Sequence, residues 1–255
     1  MSAPEVVRRR LPALRPSFRL PALRPPFWSS GGDGASPDEA YHILRANLMV
    51  AVANLERPTI VFTSARAGEG KTSTIVNLGR VMALAGQRVV LVDLDLRHPD
   101  LHRAFQLPNE RGVSDVIRGR AGLEECMCYV EIERSGNQQD KPERGVYVLT
   151  GGSVPENPSE LLGTGRTGRL LEALADQADL VLIDSAPVLP IADTLELGRL
   201  AGGVVLVVEA RQTPVPVVQH AKDALIRNQA RLLGVVISKM HPQDATAPDE
   251  GQGYE

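Results

Sequence analysis

The feature that most constrains this chain is an eight-residue loop set between two elements of different period. Thr59–Thr63 is a continuous run of strand-forming residues, and Thr72–Ala85 has helical spacing closed by Gly86. Between them stands Ala65-Arg-Ala-Gly-Glu-Gly-Lys-Thr72, a P-loop in spacing, with alanine in place of the first glycine. Gly68 and Gly70 let the backbone turn its N–H groups inward around a triphosphate. The helix starting near Lys71 aims its positive end at the same anion. Lys71 brings a mobile charge to the β- and γ-phosphates, and the Thr72 hydroxyl suits Mg²⁺. The expected phosphate cradle is Ala67, Gly68, Glu69, Gly70, Lys71, Thr72 and Ser73. A chance glycine-rich turn would not be expected to sit between a strand and a helix.

The rest of the chain repeats the strand–helix alternation. Strands are expected at Arg88–Asp93, Val146–Leu149, Leu180–Ile183, Val204–Val208 and Leu233–Ile237. Helices are expected at Ser114–Arg118, Pro158–Leu162, Gly168–Gln177, Ala192–Leu200 and Pro214–Gln229. An earlier helix opens at Ser36-Pro37-Asp38-Glu39 and runs to about Leu55, with a capping serine, a proline at its first position and acids in its first turn. Uniformly apolar strands are buried on both faces, so the pattern predicts an α/β, doubly wound, mainly parallel sheet with helices on both sides. The 255 residues accommodate one such domain, placed at 37–240, with a disordered Arg/Pro-rich tail at 1–36 and a flexible tail at 241–255.

Two strand ends carry acids. Asp93 and Asp95 close Arg88–Asp95 at a spacing of two, which puts both on one side of an extended chain, and Asp184 closes the run from Leu180. Ligands of parallel sheets bind at the C-terminal ends of strands, where Asp184 is placed to hold Mg²⁺ or its water. Each acid alone could be a turn or cap residue; three beside a P-loop favour a site. The only cysteines, Cys126 and Cys128, lack the companions of a metal site and are expected on a strand, one pointing in and one out. A net charge of -3 gives no ground for nucleic-acid binding, and no apolar run has transmembrane length. With no secretory leader pattern, the folded part is expected in the cytoplasm.

In combination these motifs resemble the cytoplasmic bacterial tyrosine autokinases of capsule and exopolysaccharide synthesis, relatives of the partitioning and septum-site ATPases. The resemblance spans about 37–240. It includes the P-loop, Val90–Asp95 followed by Leu96-Arg97-His98-Pro99, which is similar to the family's second Walker A-type motif, and Asp184-Ser-Ala-Pro-Val-Leu189. Gly112–Ile117, Gly151–Leu162 and Gly234–Lys239 are similar to further family segments. The resemblance implies ATP and Mg²⁺ chemistry, with Lys71, Asp93 and Asp95 catalytic and Thr72, Asp93 and Asp184 at the metal. It also implies a membrane activator of the chain-length-regulator class, a homo-oligomer, and Ser238 where relatives often carry an asparagine that reads the base.

Glu39-x-x-His42-x-x-Arg45 departs from the family's Glu-x-x-Arg-x-x-Arg assembly motif by placing a titratable residue at its centre. The C-terminal tyrosine cluster is reduced to Tyr254, the expected autophosphorylation site. The alternative reading is a partitioning-type, nucleotide-switched ATPase without kinase activity, although Arg66 stands where that class usually has lysine. In the leader, Leu11–Phe18 recurs as Leu20–Phe27 among several arginines, with Phe18, Phe27 and Trp28 as candidate anchors. This composition suits either a solvated leader or a segment that contacts an anionic membrane surface or a protein partner.

Overall fold

The computed structural model describes residues 18–20, 37–56, 58–132 and 144–240. Its strands are β1 (Phe18–Leu20), β2 (Thr59–Ser64), β3 (Val89–Asp93), β4 (Met127–Glu131), β5 (Gly145–Leu149), β6 (Leu180–Asp184), β7 (Gly203–Glu209) and β8 (Leu232–Ser238). Its helices are α1 (Pro37–Val52), α2 (Lys71–Leu84), α3 (Leu101–Ala104), α4 (Val113–Arg118), α5 (Leu123–Cys126), α6 (Pro158–Leu162), α7 (Gly165–Ala175), α8 (Asp193–Leu200) and α9 (Val215–Arg227).

The eight strands form one sheet in the order β1-β4-β5-β3-β6-β2-β7-β8. All pairs are parallel except β4 with β5. Alternate residues of each central strand feed opposite cores, as a period of two requires. Val61, Val90, Val92, Val181 and Ile183 face the side covered by α4 to α9. Ile60, Phe62, Leu91, Leu180 and Leu182 face α1, α2 and α3. Each such buried aliphatic side chain stabilises the fold by roughly 1.5–3 kcal/mol relative to an exposed one. Helix α2 lies so close to the sheet that a Cβ on Gly79 would meet Leu91 Cδ2 at 2.9 Å.

The expected doubly wound sheet is present, and three local expectations change. The leader expected to lack structure over 1–36 contributes β1, paired to β4. The remainder of 1–36, including Phe27, Trp28 and the capping Ser36, lies outside the described residues, as does 241–255 with Tyr254. Cys126 is the last residue of α5 and is buried on one side of the sheet; Cys128 is on β4 and packs, half-buried, against the other core. Neither points out, because both faces of β4 are covered. Burial pushes the Cys126 thiol up to about 11 and raises Cys128 as well, which suits inert packing residues.

Candidate nucleotide site

The site lies where β2, β3 and β6 end together. Their parallel register puts Asp93 directly beside Asp184 and Phe62 beside Asp184 on the other side. The chain leaves β2 through the P-loop, where Gly68 and Gly70 both adopt positive φ, 81° and 89°. Gly70 is the residue before α2, whose first residue, Lys71, is largely buried. A left-handed backbone at those two positions needs glycine, which accounts for the motif.

A cavity of about 720 Å³ opens over this loop. Ala67, Gly68, Gly70, Lys71, Thr72 and Ser73 line one wall, with Asp95 and Asp184 at its base. Arg97, His98, Asp100, His102 and Arg103 also line it, with Arg97 and Arg103 bringing positive charge. This geometry suits a polyanion held at the positive end of α2 and faced by cations.

Thr72 donates its hydroxyl proton to Asp184 Oδ2 at 2.5 Å, and Asp184 Oδ1 is buried without a hydrogen-bond partner. Burial pushes the Asp184 carboxyl up to about 6, while Lys71 and the Thr72 hydrogen bond pull against that shift. A buried carboxylate oxygen left unmatched beside a hydroxyl is costly, and a hard cation satisfies it with oxygen ligands. Thr72 and Asp184 therefore fit Mg²⁺, as their positions in the sequence suggest.

Asp93 and Asp95 separate in role. Asp93 is fully buried and does not line the cavity. Its Oδ1 accepts the Asp95 N–H at 3.2 Å, and its Oδ2 accepts those of Asp100 and Leu101 at 2.9 and 3.0 Å. Burial, then the adjacent Asp184, raises its carboxyl well above the usual range against the pull of the Leu101 and Asp100 N–H groups. In this nucleotide-free geometry Asp93 stands behind the cavity, its two oxygens accepting N–H groups of the turn after β3. Asp95 does line the cavity; one of its oxygens accepts the His98 N–H at 3.0 Å.

Two further expectations shift. Glu69 belongs to the phosphate loop through its backbone only: its carboxylate accepts the Arg66 N–H at 3.1 Å and the Thr213 hydroxyl at 2.5 Å. Ser238 does not line the cavity. Its hydroxyl donates to the Glu69 carbonyl at 2.6 Å, and a Cβ on Gly70 would meet its side chain at 3.3 Å, so it braces the loop. Its neighbour Lys239 reaches the cavity and binds the Gly68 carbonyl at 2.8 Å and Glu209 at 2.9 Å. Lys239 and Asp193 were not singled out from sequence. Asp193 forms a 2.9 Å ion pair with Arg97, which also donates to Ser159 Oγ at 2.6 Å. Arg97 stood in a quoted motif, but nothing in the local sequence around Asp193 distinguishes it from an ordinary first-turn acid.

On α1, Glu39 and His42 are exposed, while Arg45 is half-buried with its Nε buried and unmatched. The three do not present one equally exposed face.

A family model described as the CobQ/CobB/MinD/ParA nucleotide binding domain matches residues 60–250. The chain is 34% identical over 200 residues to the tyrosine-protein kinase YwqD of Bacillus subtilis (strain 168), covering 78% of this chain and 80% of that protein. The chain belongs to the bacterial tyrosine-kinase branch of the CobQ/CobB/MinD/ParA family. Among solved structures, the kinase domain of the Escherichia coli tyrosine kinase ETK is similar over 90% of this chain and 85% of that one, at 30% identity and a TM-score of 0.73. The septum site-determining protein MinD of Pyrococcus horikoshii, complexed with Mg-ADP, shares the fold at 21% identity and a TM-score of 0.56, over 70% of this chain and 69% of that one. The branch and the larger family thus share the P-loop sheet that carries Lys71, Thr72 and Asp184 in this chain.

Proposed function

We propose that the chain binds ATP with Mg²⁺ and transfers the γ-phosphoryl group to a tyrosine hydroxyl, Tyr254 being the residue modified. The observation that carries this reading is the Thr72–Asp184 hydrogen bond with the unmatched Asp184 oxygen, in one cavity with Lys71 and Asp95. Similarity to proteins named tyrosine-protein kinases supports tyrosine as acceptor.

Lys71 and the N–H groups of 67–73 bind the phosphates and offset their charge. Thr72 and Asp184 would hold Mg²⁺, which would supply charge neutralisation to the phosphates. Asp95, with one oxygen engaged by His98 N–H, takes the phenolic proton on the other as the tyrosine oxygen bonds to phosphorus. The bond from phosphorus to the bridging oxygen breaks, and ADP leaves with that oxygen. Asp93 fixes the turn that carries Asp95, so it is a positioning residue.

The same reading places the protein at the cytoplasmic face of the membrane, in capsule or exopolysaccharide assembly, with an activator of the chain-length-regulator class. Its basis is the family resemblance, together with the basic leader. Among the described residues no helix is long and apolar enough to cross a membrane. Self-association through α1, with Glu39, His42 and Arg45, completes the proposal.

The test is incubation with ATP and Mg²⁺, with and without a candidate activator domain, reading ADP release and modification at Tyr254 by mass spectrometry. Phosphate on Tyr254, lost in Asp95→Asn, is the expected result. ADP release with Tyr254 unmodified under both conditions would replace this reading by the nucleotide-switched ATPase.

A further inference from the structure

The nucleotide site makes no use of the leader repeat or of the outer strand β4. The edge of β4 turned away from β5 pairs with β1, parallel, with Phe18 opposite Cys128, Arg19 opposite Tyr129 and Leu20 opposite Val130. Without that segment β4 would be the edge of the sheet and would present unpaired N–H and C=O groups, a template for any extended chain.

The proline spacing of the leader explains why this short piece can serve. Proline has no N–H and fixes φ near −65°, so it ends a ladder. Ser17–Leu20 is the window between Pro16 and Pro21, and β1 fills its last three positions. Prolines on both sides also reduce the freedom the segment loses on docking. The repeat places Phe27-Trp28-Ser29 in the register of Phe18-Arg19-Leu20, directly after Pro26 and with no further proline before Pro37.

We propose that the outer edge of β4 is a strand-receiving site for a proline-bracketed extended segment, loaded in cis by residues 18–20 of the chain's own leader. Reach allows it. Residues 21–36 join β1 to α1, and sixteen residues span up to about 55 Å. First and last strands of an eight-stranded sheet are only about 34 Å apart at a spacing of about 4.8 Å. Docking there caps the exposed edge and fixes the basic leader at the side of the sheet opposite β8; displacing it frees the edge for an equivalent segment.

The register supplies its own probe, because Phe18 is paired in register with a native cysteine, Cys128. Paired Cα atoms in a sheet fall within the separation a disulfide tolerates, about 4.4–6.8 Å. In the full-length chain, Phe18→Cys under copper–phenanthroline oxidation is expected to form an 18–128 bond within one molecule. The rate should be independent of protein concentration and at least about tenfold above that of Ala13→Cys, by the effective-concentration advantage of a docked segment. Cys128→Ala in the same background should abolish it. Equal rates for the two leader cysteines, or only concentration-dependent dimers, overturn the cis seat.

A second measurement covers the case in which the disulfide is blocked by local geometry. Arg19→Pro with Leu20→Pro removes two consecutive N–H groups, one of which faces β4 in any ladder. Hydrogen exchange at Cys128–Val130 should then accelerate by about tenfold or more while β3 and β6 stay protected. Unchanged exchange at β4 overturns the proposal.

Discussion

At the scale of single residues, the two aspartates after β3 make opposed demands on the same backbone. Asp93 holds three N–H groups, so Asp93→Asn presents an amide NH₂ to at least one donor and leaves it unmatched. That change is expected to cost about 1–3 kcal/mol of stability and to misplace Asp95, seen as a lowered Tm together with lost turnover. Asp95→Asn should keep the parent's Tm and ATP affinity while turnover falls about 100-fold or more, the scale of a lost general base. If Asp95→Asn turns over normally, the proton goes elsewhere. Asp184 adds a pH dependence with a definite sign. Its carboxyl is raised to about 6 in the fold, so between about 4 and 6 the folded chain binds more protons than the unfolded one. Its contribution to the stability of the nucleotide-free protein therefore falls as pH rises through that window. Mg²⁺ and nucleotide, which need the carboxylate, should bind more tightly across the same rise. Thermal melts and titrations of Asp184→Asn should show both trends flattened; a parent-like slope in that variant assigns the titration to another group.

At the scale of elements, the P-loop is gripped from outside its own motif. Glu69 reaches Thr213 two residues before α9, Ser238 on β8 binds the Glu69 carbonyl, and Lys239 ties Gly68 to Glu209. The loop's shape is thus held by β7, β8 and the turn between β7 and α9. Thr213→Val removes the hydroxyl at nearly constant volume and leaves one Glu69 oxygen buried and unmatched. ATP affinity should drop several-fold, on the order of a lost hydrogen bond to a charged group at about 1.5–3 kcal/mol, with the fold intact. Unchanged affinity would mean that the grip is incidental to binding. None of this was legible in the sequence, because Glu69, Thr213 and Ser238 are distant along the chain and carry no shared pattern. The elements themselves were legible. The strands from Thr59, Val89, Leu180, Gly203 and Leu232 are continuous apolar runs, and their period survives any tertiary detail. The strand β1 was not read as an element, since three residues among prolines lack a distinguishing period, and β4 was anticipated only as a strand holding the two cysteines, without bounds. The P-loop, Thr72 and Asp184 were readable because strand-end position dictates their chemistry. The sequence did not separate Asp93 from Asp95, because a spacing of two puts two acids on one side but does not say which of them the following turn will engage.

At the scale of the whole molecule, the C-terminal strand delivers the chain to its own active site. Lys239, one residue past β8, lines the cavity, so a tail bearing Tyr254 departs from the rim of the site it is proposed to enter. Tyr254 is the fifteenth residue after Lys239, which allows a reach of about 50 Å. Such a tail could double back or cross to a neighbour. The acceptor oxygen must approach in line with the scissile bond, deep between the P-loop and Asp95. A chain leaving the rim must reverse tightly to do so, whereas a neighbour's tail enters from outside. Transfer between copies is therefore expected, and it requires an assembly. On the proposed self-association through α1, where Glu39 and His42 are exposed, that helix is the element expected to hold it. A Lys71→Ala chain, unable to use ATP, should acquire phosphate on Tyr254 when mixed with a Tyr254→Phe chain. The transfer should fall at least about tenfold when both also carry Glu39→Ala and Arg45→Ala, as an effective concentration set by assembly is lost. Neither residue lines the cavity, so ADP release by the Tyr254→Phe chain should persist and separate lost assembly from lost chemistry. Labelling of the parent without any labelling of the Lys71→Ala chain in the mixture would show that each tail serves its own site. Undiminished transfer in the α1 variants would move the assembly surface off that helix.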